Sequence, residues 1–167
     1  MTTPSLSLER QNPWLTFFLT IITLGLYVPI WFLIQRKALN SLNEHQQISI
    51  TQLIVLLVLY SLDTIGFFLI DLGEFFGVNQ EAYSSYNTTS SLISWIQWVW
   101  VIILSFKVQG MLKDFVDARN YKVGFVGFYT FFLSIYYLQY KVNQIMEEED
   151  HYVDIDSFGT DTSYREF

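Results

Sequence analysis

The stretch 48–76, ISITQLIVLLVLYSLDTIGFFLIDLGEFF, decides the fold. From Ile48 to Ile70 its one charged side chain is Asp63, and the next is Asp71. About 20 apolar residues in an α-helix cross a hydrocarbon core roughly 30 Å thick. The stretch therefore predicts a membrane helix with a carboxylate inside it.

Three further apolar runs flank it. The first, 13–34, holds no charge. Asn12 and Pro13 make a start for it, because Asn caps helices and Pro fits the first turn. The third, 92–112, encloses Gln97 and carries Lys107 near its end. The fourth, 123–140, is close to the lower length limit for a span. The prediction is an all-α fold, a small transmembrane bundle of four membrane helices. A polar segment 1–11 precedes the bundle at 12–146, and an acidic tail at 147–167 follows it.

Composition agrees with that class. The chain is 51% hydrophobic, 19% aromatic and 15% charged, against about 25% charged in soluble domains. Lipid solvates outward apolar side chains that water would not. The net charge of −7 argues against nucleic acid, and much of it lies in the tail at Glu147, Glu148, Glu149, Asp150, Asp154, Asp156 and Asp161. A tail so acidic and poor in aliphatic residues is expected to be disordered. There is no Cys, which removes thiolate chemistry and disulfides. The apolar run after Arg10 is too long for a signal-peptide core and ends in Gln35-Arg36-Lys37, so it reads as retained.

Cationic residues suggest the orientation, because cytoplasmic loops are enriched in Lys and Arg. Arg36 and Lys37 follow the first run, and Lys107, Lys113, Arg119 and Lys122 gather between the third and fourth. The Ser-, Thr-, Asn- and Tyr-rich stretch 78–91 reads as a loop on the non-cytoplasmic side. Four crossing helices place both termini on that side too. In the alternative, the first and fourth runs do not fully cross, the first folding back near Gly25 and Pro29 as a re-entrant or interfacial element; only the second and third cross, and every basic residue before the tail lies inside. Hydropathy favours four. Thr16-Phe17-Phe18-Leu19-Thr20-Ile21 also resembles Thr130-Phe131-Phe132-Leu133-Ser134-Ile135, a hint of internal repetition.

Asp63 is the residue most in need of a partner. A carboxylate at mid-membrane costs at least about 2.5–3.5 kcal/mol on insertion scales, so it faces another polar group or water. Counting equal depths along four crossing helices brings it level with Gln97 and with Tyr136 or Tyr137, a predicted polar layer. Such a layer fixes helix packing or serves a proton or ion site. Trp14, Trp31, Trp95, Trp98 and Trp100 suggest interface belts, with Trp95 and Trp98 on one helical face. Gly73 and Gly77 form a small-xxx-small pair. His45 and His151 stand alone, so no metal is expected. Asp154 to Gly159 opens like a calcium loop but fails at Phe158 and Arg165. Asn87-Thr88-Thr89 is a glycosylation sequon. No nucleotide, nucleophile or zinc-protease motif is present, and no cofactor is expected.

Asn12-Pro13-Trp14, then Ile22-Thr23-Leu24-Gly25-Leu26-Tyr27 and Trp31-Phe32, resemble the opening of the prokaryotic membrane family called domain of unknown function 4234. Ser134-Ile135-Tyr136, Leu138-Gln139-Tyr140 and Asn143 resemble its closing stretch. The resemblance covers about residues 10–145 and implies a multi-pass protein of a bacterial inner or other prokaryotic membrane, with no catalytic residues to carry over. Physically, Gly25, Tyr27 and Pro29 mark a place where the first helix bends or breaks. The expected function is non-enzymatic: a small accessory or scaffold subunit that binds other membrane proteins or itself within the lipid bilayer. The alternatives are a small transporter or proton-conducting element using Asp63, and a lipid- or pigment-binding module using the Trp-rich third run.

Overall fold

The computed structural model describes residues 8–42, 46–75, 77 and 80–159, of which 71–75, 80–83, 87 and 152–159 are described by their backbone alone. The chain is all-helical over these residues. Five helices follow in order: α1 (Pro13–Ile22), α2 (Tyr27–Leu42), α3 (Ile50–Phe75), α4 (Gln80–Arg119) and α5 (Gly127–Gly159).

The apolar run 13–34 divides into two helices. The Asn12 side chain accepts from Trp14 N at 2.9 Å and Pro13 occupies the first turn, so α1 starts where its orphan donors are covered. Ten residues later it stops at a tight turn over 23–26. Leu24 has φ 50 and Gly25 φ 92, the left-handed region that L side chains avoid. Gly25 N donates to Thr20 O at 2.8 Å, and the Thr23 hydroxyl accepts from Tyr27 N at 2.9 Å. The turn thus covers the last carbonyls of α1 and a first donor of α2. Pro29 sits inside the first turn of α2, where its missing N–H leaves nothing unpaired.

A similar event interrupts α5. Ser134 takes φ 41 and ψ −118, which splits the helix into a short arm ending at Leu133 and a long arm from Ile135. The two matching hexapeptides occupy different places: 16–21 lies wholly within α1, three residues before the positive φ of Leu24, whereas 130–135 runs across the hinge at Ser134. Their Thr16 and Thr130 are both fully buried.

Among the described residues two helices, at Ile50–Ile70 and Ser84–Arg119, are long and apolar enough to cross a bilayer. The expectation is four membrane helices with the first broken near Gly25 and Pro29; the first run does break, at the 23–26 turn, and two of the four runs meet the length of a span. At about 1.5 Å per residue α1 spans roughly 15 Å, half a hydrocarbon core, and the short arm of α5 spans less. Hydropathy summed over 13–34 and 123–140 does not register the turns inside them.

Two further expectations change. The sequence predicts a loop over 78–91, yet from Gln80 onward the chain is helical and continuous with α4, whose 40 residues run about 60 Å. Its hydroxyls fold onto their own helix, with Thr88 Oγ1 on Ser84 O at 3.1 Å and Thr89 Oγ1 on Ser85 O at 3.0 Å, instead of breaking it. The acidic tail, expected to be disordered, continues α5 as helix through Gly159, while 160–167 lie outside the described residues. Glu is a good helix former, and two cations hold the acidic turn: Arg10 with Asp150 at 2.8 Å and Arg119 with Glu149 at 3.1 Å.

Those ion pairs bring both ends of the described chain to the same end of the bundle as the basic residues. Arg36 Nε bonds Ile48 O at 2.8 Å and Lys107 Nζ bonds Gln47 O at 2.7 Å, so Arg36, the start of α3 and Lys107 share one level. The buried core lies around this basic end, built from Trp31, Phe32 and Leu39 of α2, Leu53 and Leu56 of α3, Val108, Met111 and Leu112 of α4, and Leu138, Val142 and Ile145 of α5. Beyond it, α1, the short arm of α5 and the apolar parts of α3 and α4 expose large apolar side chains in nearly every turn. Asn120, with φ 56, ends α4 by letting Tyr121 N reach back to Val116 O at 3.1 Å.

Candidate functional site

Two polar constellations stand out. The first closes the core at the basic end. Residues 8–12 run across α2 and α5, with Leu8 buried in the core. Gln35 holds the Glu9 peptide from both sides, accepting from Glu9 N at 3.2 Å and donating to Glu9 O at 3.0 Å. Gln139 donates to the same carbonyl at 3.1 Å and to Asn143 Oδ1 at 3.0 Å, while its Oε1 accepts from Trp31 Nε1 at 2.7 Å. Asn143 Nδ2 donates to Gln11 O at 2.7 Å, and Tyr27 OH donates to Gln11 Oε1 at 2.7 Å. Trp31 and Gln139 are fully buried. Buried polar groups are tolerated when paired, and this set is paired throughout. It is a clasp of amides, an indole and the Tyr27 phenol that ties residues 8–12 to α2 and α5.

The second constellation surrounds Asp63. Ser90 Oγ donates to its Oδ1 at 2.5 Å and Ser94 Oγ to its Oδ2 at 3.1 Å, one α4 turn apart. Tyr86 OH donates to the Asp63 carbonyl at 3.2 Å. Tyr86 reaches that carbonyl because residue 66 is Gly: a Cβ there would overlap the Tyr86 hydroxyl and ring. Asp63 is half-buried and Ser94 is exposed, so the carboxylate sits at the lateral surface of the α3–α4 pair. An open groove of about 510 Å³ lies alongside, lined by Ser90, Ser91, Ser94, Trp95 and Trp98. A second groove of about 440 Å³, lined by Trp95, Ile96, Val99, Trp100 and Ile103, runs on from it toward the basic end and is almost wholly apolar.

The predicted polar layer does not assemble as drawn. Gln97 is buried in α4, but no hydrogen bond joins it to Asp63, and its Nε2 meets no partner among the described residues. Tyr137 is used locally, its OH accepting from Val126 N at 2.8 Å at the foot of the short arm. Tyr136 packs its ring on Phe17 at 5.6 Å. The reason is depth. Equal-depth counting assumed that the fourth run crosses, whereas α5 turns back at Ser134. Asp63 lies thirteen residues beyond Ile50, about 20 Å along α3, further out than the turns of either short arm.

Ser90, Ser94 and Gly66 are the residues that sequence reasoning passed over. The spacing of Ser90 and Ser94, four apart on one helical face, was a usable signal once 80–91 is read as helix. Gly77, by contrast, has open space around it, and the Gly73 side of the expected small-residue pair lies outside the described side chains. Among the described residues no three His, Cys, Asp or Glu side chains converge as metal ligands. The sequon's Asn87 is helical in backbone and its side chain is not described.

The chain matches no family model, no curated protein and no solved structure.

Proposed function

We propose that the chain is a non-enzymatic integral membrane protein, held in the bilayer by the α3–α4 hairpin, that works as a small accessory or scaffold subunit. It receives a transmembrane helix of a partner protein on the face that carries Asp63. The supporting observation is the lateral carboxylate beside the Trp95–Trp98 groove. A carboxyl group at that depth stays only where polar partners satisfy it. Two serine hydroxyls supply neutral donors from within the chain, and the open side faces outward. A partner helix presenting Lys, Arg or an amide donor matches both the carboxyl oxygens and the aromatic groove beside them.

Under this reading the basic end faces the cytoplasm, since Arg36, Lys37, Lys107, Lys113, Arg119 and Lys122 all belong to it. Both described ends of the chain then lie inside, and the α3–α4 connection lies on the opposite side. The resemblance to domain of unknown function 4234 adds a prokaryotic membrane to the proposal.

Purification of the tagged protein from its own membrane in a gentle detergent, followed by native mass spectrometry, tests this. The expectation is a stoichiometric membrane-protein partner that is reduced at least about tenfold, or about 1.4 kcal/mol, in the Asp63→Leu variant. A chain that purifies alone, or a partner that Asp63→Leu leaves unchanged, refutes the docking face. A dimer lost in Asp63→Leu makes the partner a second copy.

A further inference from the structure

We propose that this protein is a one-sided wedge that concentrates in, and stabilises, bilayers bulging toward its basic end. The proposal rests on the reading that α3 and α4 cross the membrane, and it adds what the short arms do there.

Depth is readable from side-chain contacts. Arg36, Ile48 and Lys107 share a level at the basic end. Measured from it, the 23–26 turn meets α3 at Tyr60, whose ring edge would lie 3.0 Å from a Cβ on Gly25. Tyr60 is ten residues beyond Ile50, about 15 Å, and the ten residues of α1 give the same depth independently. On the other side, the short α5 arm starts with Gly127 beside Phe106 and ends with Ser134 on Ser105, both within two residues of Lys107, and its Phe131 ring reaches further out to pack on Trp98 at 5.4 Å. The long arm of α5 then descends to place Gln139 against Trp31 of α2. The α1–α2 hairpin turns back at about half of a 30 Å core, and the α5 hairpin turns back at a shallower level of the same half, where Ser134 Oγ meets Ser105 Oγ at 2.7 Å.

The two halves of the molecule therefore differ in cross-section. The half next to the basic end contains six helical segments: α1, α2, both arms of α5, and the near parts of α3 and α4. Among the described residues the other half contains α3 and α4 alone. At about 10–12 Å across each, the four extra segments occupy roughly 300–450 Å² of one leaflet with no counterpart in the other.

The surfaces of the arms identify what surrounds them. Ile22 at the end of α1 is 76% exposed, and Phe128 and Phe132 on the short α5 arm are 66% and 65% exposed. Trp14 stands at the foot of α1, where an interface aromatic belongs. Apolar flanks with an aromatic at the base and cations below are the chemistry of acyl chains under a headgroup layer. A leaflet that takes up this extra area relaxes by curving toward it.

The test uses the full-length chain, labelled at its C-terminus and reconstituted into vesicles of about 30 to 400 nm diameter, since interfacial insertion is curvature-sensitive. Resistance to alkaline carbonate is measured first, then protein density per membrane area against diameter, separately for outward- and inward-facing labels. Outward-facing protein is expected to be at least about threefold denser in the smallest vesicles, and inward-facing protein depleted there. The exposed-site variant Phe18→Gln, Ile22→Gln, Phe128→Gln, Phe132→Gln is expected to flatten both slopes, and Leu62→Ala with Leu69→Ala to leave them unchanged. Carbonate-resistant protein with equal density at all diameters, or with the same slope in both orientations, overturns the wedge alone. A second protein found covering the short arms also overturns it. Release by carbonate overturns the wedge together with the spanning reading.

Discussion

Replacing Gln139 by Met keeps its length and apolar volume and removes three hydrogen bonds. The indole N–H of Trp31, which is fully buried, then has no acceptor. Asn143 Oδ1 loses a donor, whereas Glu9 O keeps Gln35 Nε2 at 3.0 Å. Leaving one buried donor unsatisfied costs about 1–3 kcal/mol, and an ordinary hydrogen bond contributes about 1 kcal/mol net. The expected loss is therefore about 2–4 kcal/mol. The assay is equilibrium unfolding in mixed detergent micelles, titrated with a denaturing detergent and followed by tryptophan emission. A double-mutant cycle sharpens it. Trp31→Phe removes the stranded N–H, so the double variant is expected to be more stable than the sum of the single changes by about 1–3 kcal/mol. A Gln139→Met loss below about 0.5 kcal/mol, or strict additivity in the cycle, refutes the view that this buried clasp holds residues 8–12, α2 and α5 together.

Other substitutions probe other joints. Gly66→Ala drives a methyl into Tyr86 and is expected to cost about 1–3 kcal/mol by overpacking. Most of that loss should return when Tyr86→Ser is added, measured in the same unfolding assay. Gly25→Ala meets both the φ of 92 and the Tyr60 ring, with an expected loss of about 1–2 kcal/mol. Gly124→Ala, which has open space around it, serves as its control and should change stability by less than about 0.5 kcal/mol. Asn120→Ala is expected to lower stability by roughly 1 kcal/mol, because Ala tolerates the left-handed cap less well than Asn, and Asn120→Gly should restore it.

Much of the local structure was legible in the residues themselves. Asn12-Pro13 is a helix start by capping chemistry, and the apolar run through 48–70 is a helix long enough to cross a bilayer. Gly25 signalled an interruption because glycine alone takes a positive φ without steric cost. The helix over 80–91 was not legible, because Ser, Thr and Asn serve loops and helix surfaces alike. Which role they take depends on whether each hydroxyl finds a carbonyl one turn back or a residue on a neighbouring helix. Ser134 was equally opaque, since nothing about a serine marks it as the hinge of a hairpin; its hydroxyl meets Ser105 Oγ at 2.7 Å only in the packed bundle.

Sequence alone determined that the chain is helical, that its apolar surface exceeds what a small core can bury, and that Asp63 needs a hydrogen-bonding partner. Tertiary structure decided how deep each apolar run goes and therefore which partner Asp63 has. Hydropathy is a sum over neighbouring residues and is blind to a reversal of direction within the window. Depth is set by contacts between distant residues, such as Gly25 on Tyr60 and Phe131 on Trp98. Because two of the apolar runs turn back before the level of Asp63, Gln97, Tyr136 and Tyr137 fall away from it. The carboxylate is left to Ser90 and Ser94 at an open face of the α3–α4 pair.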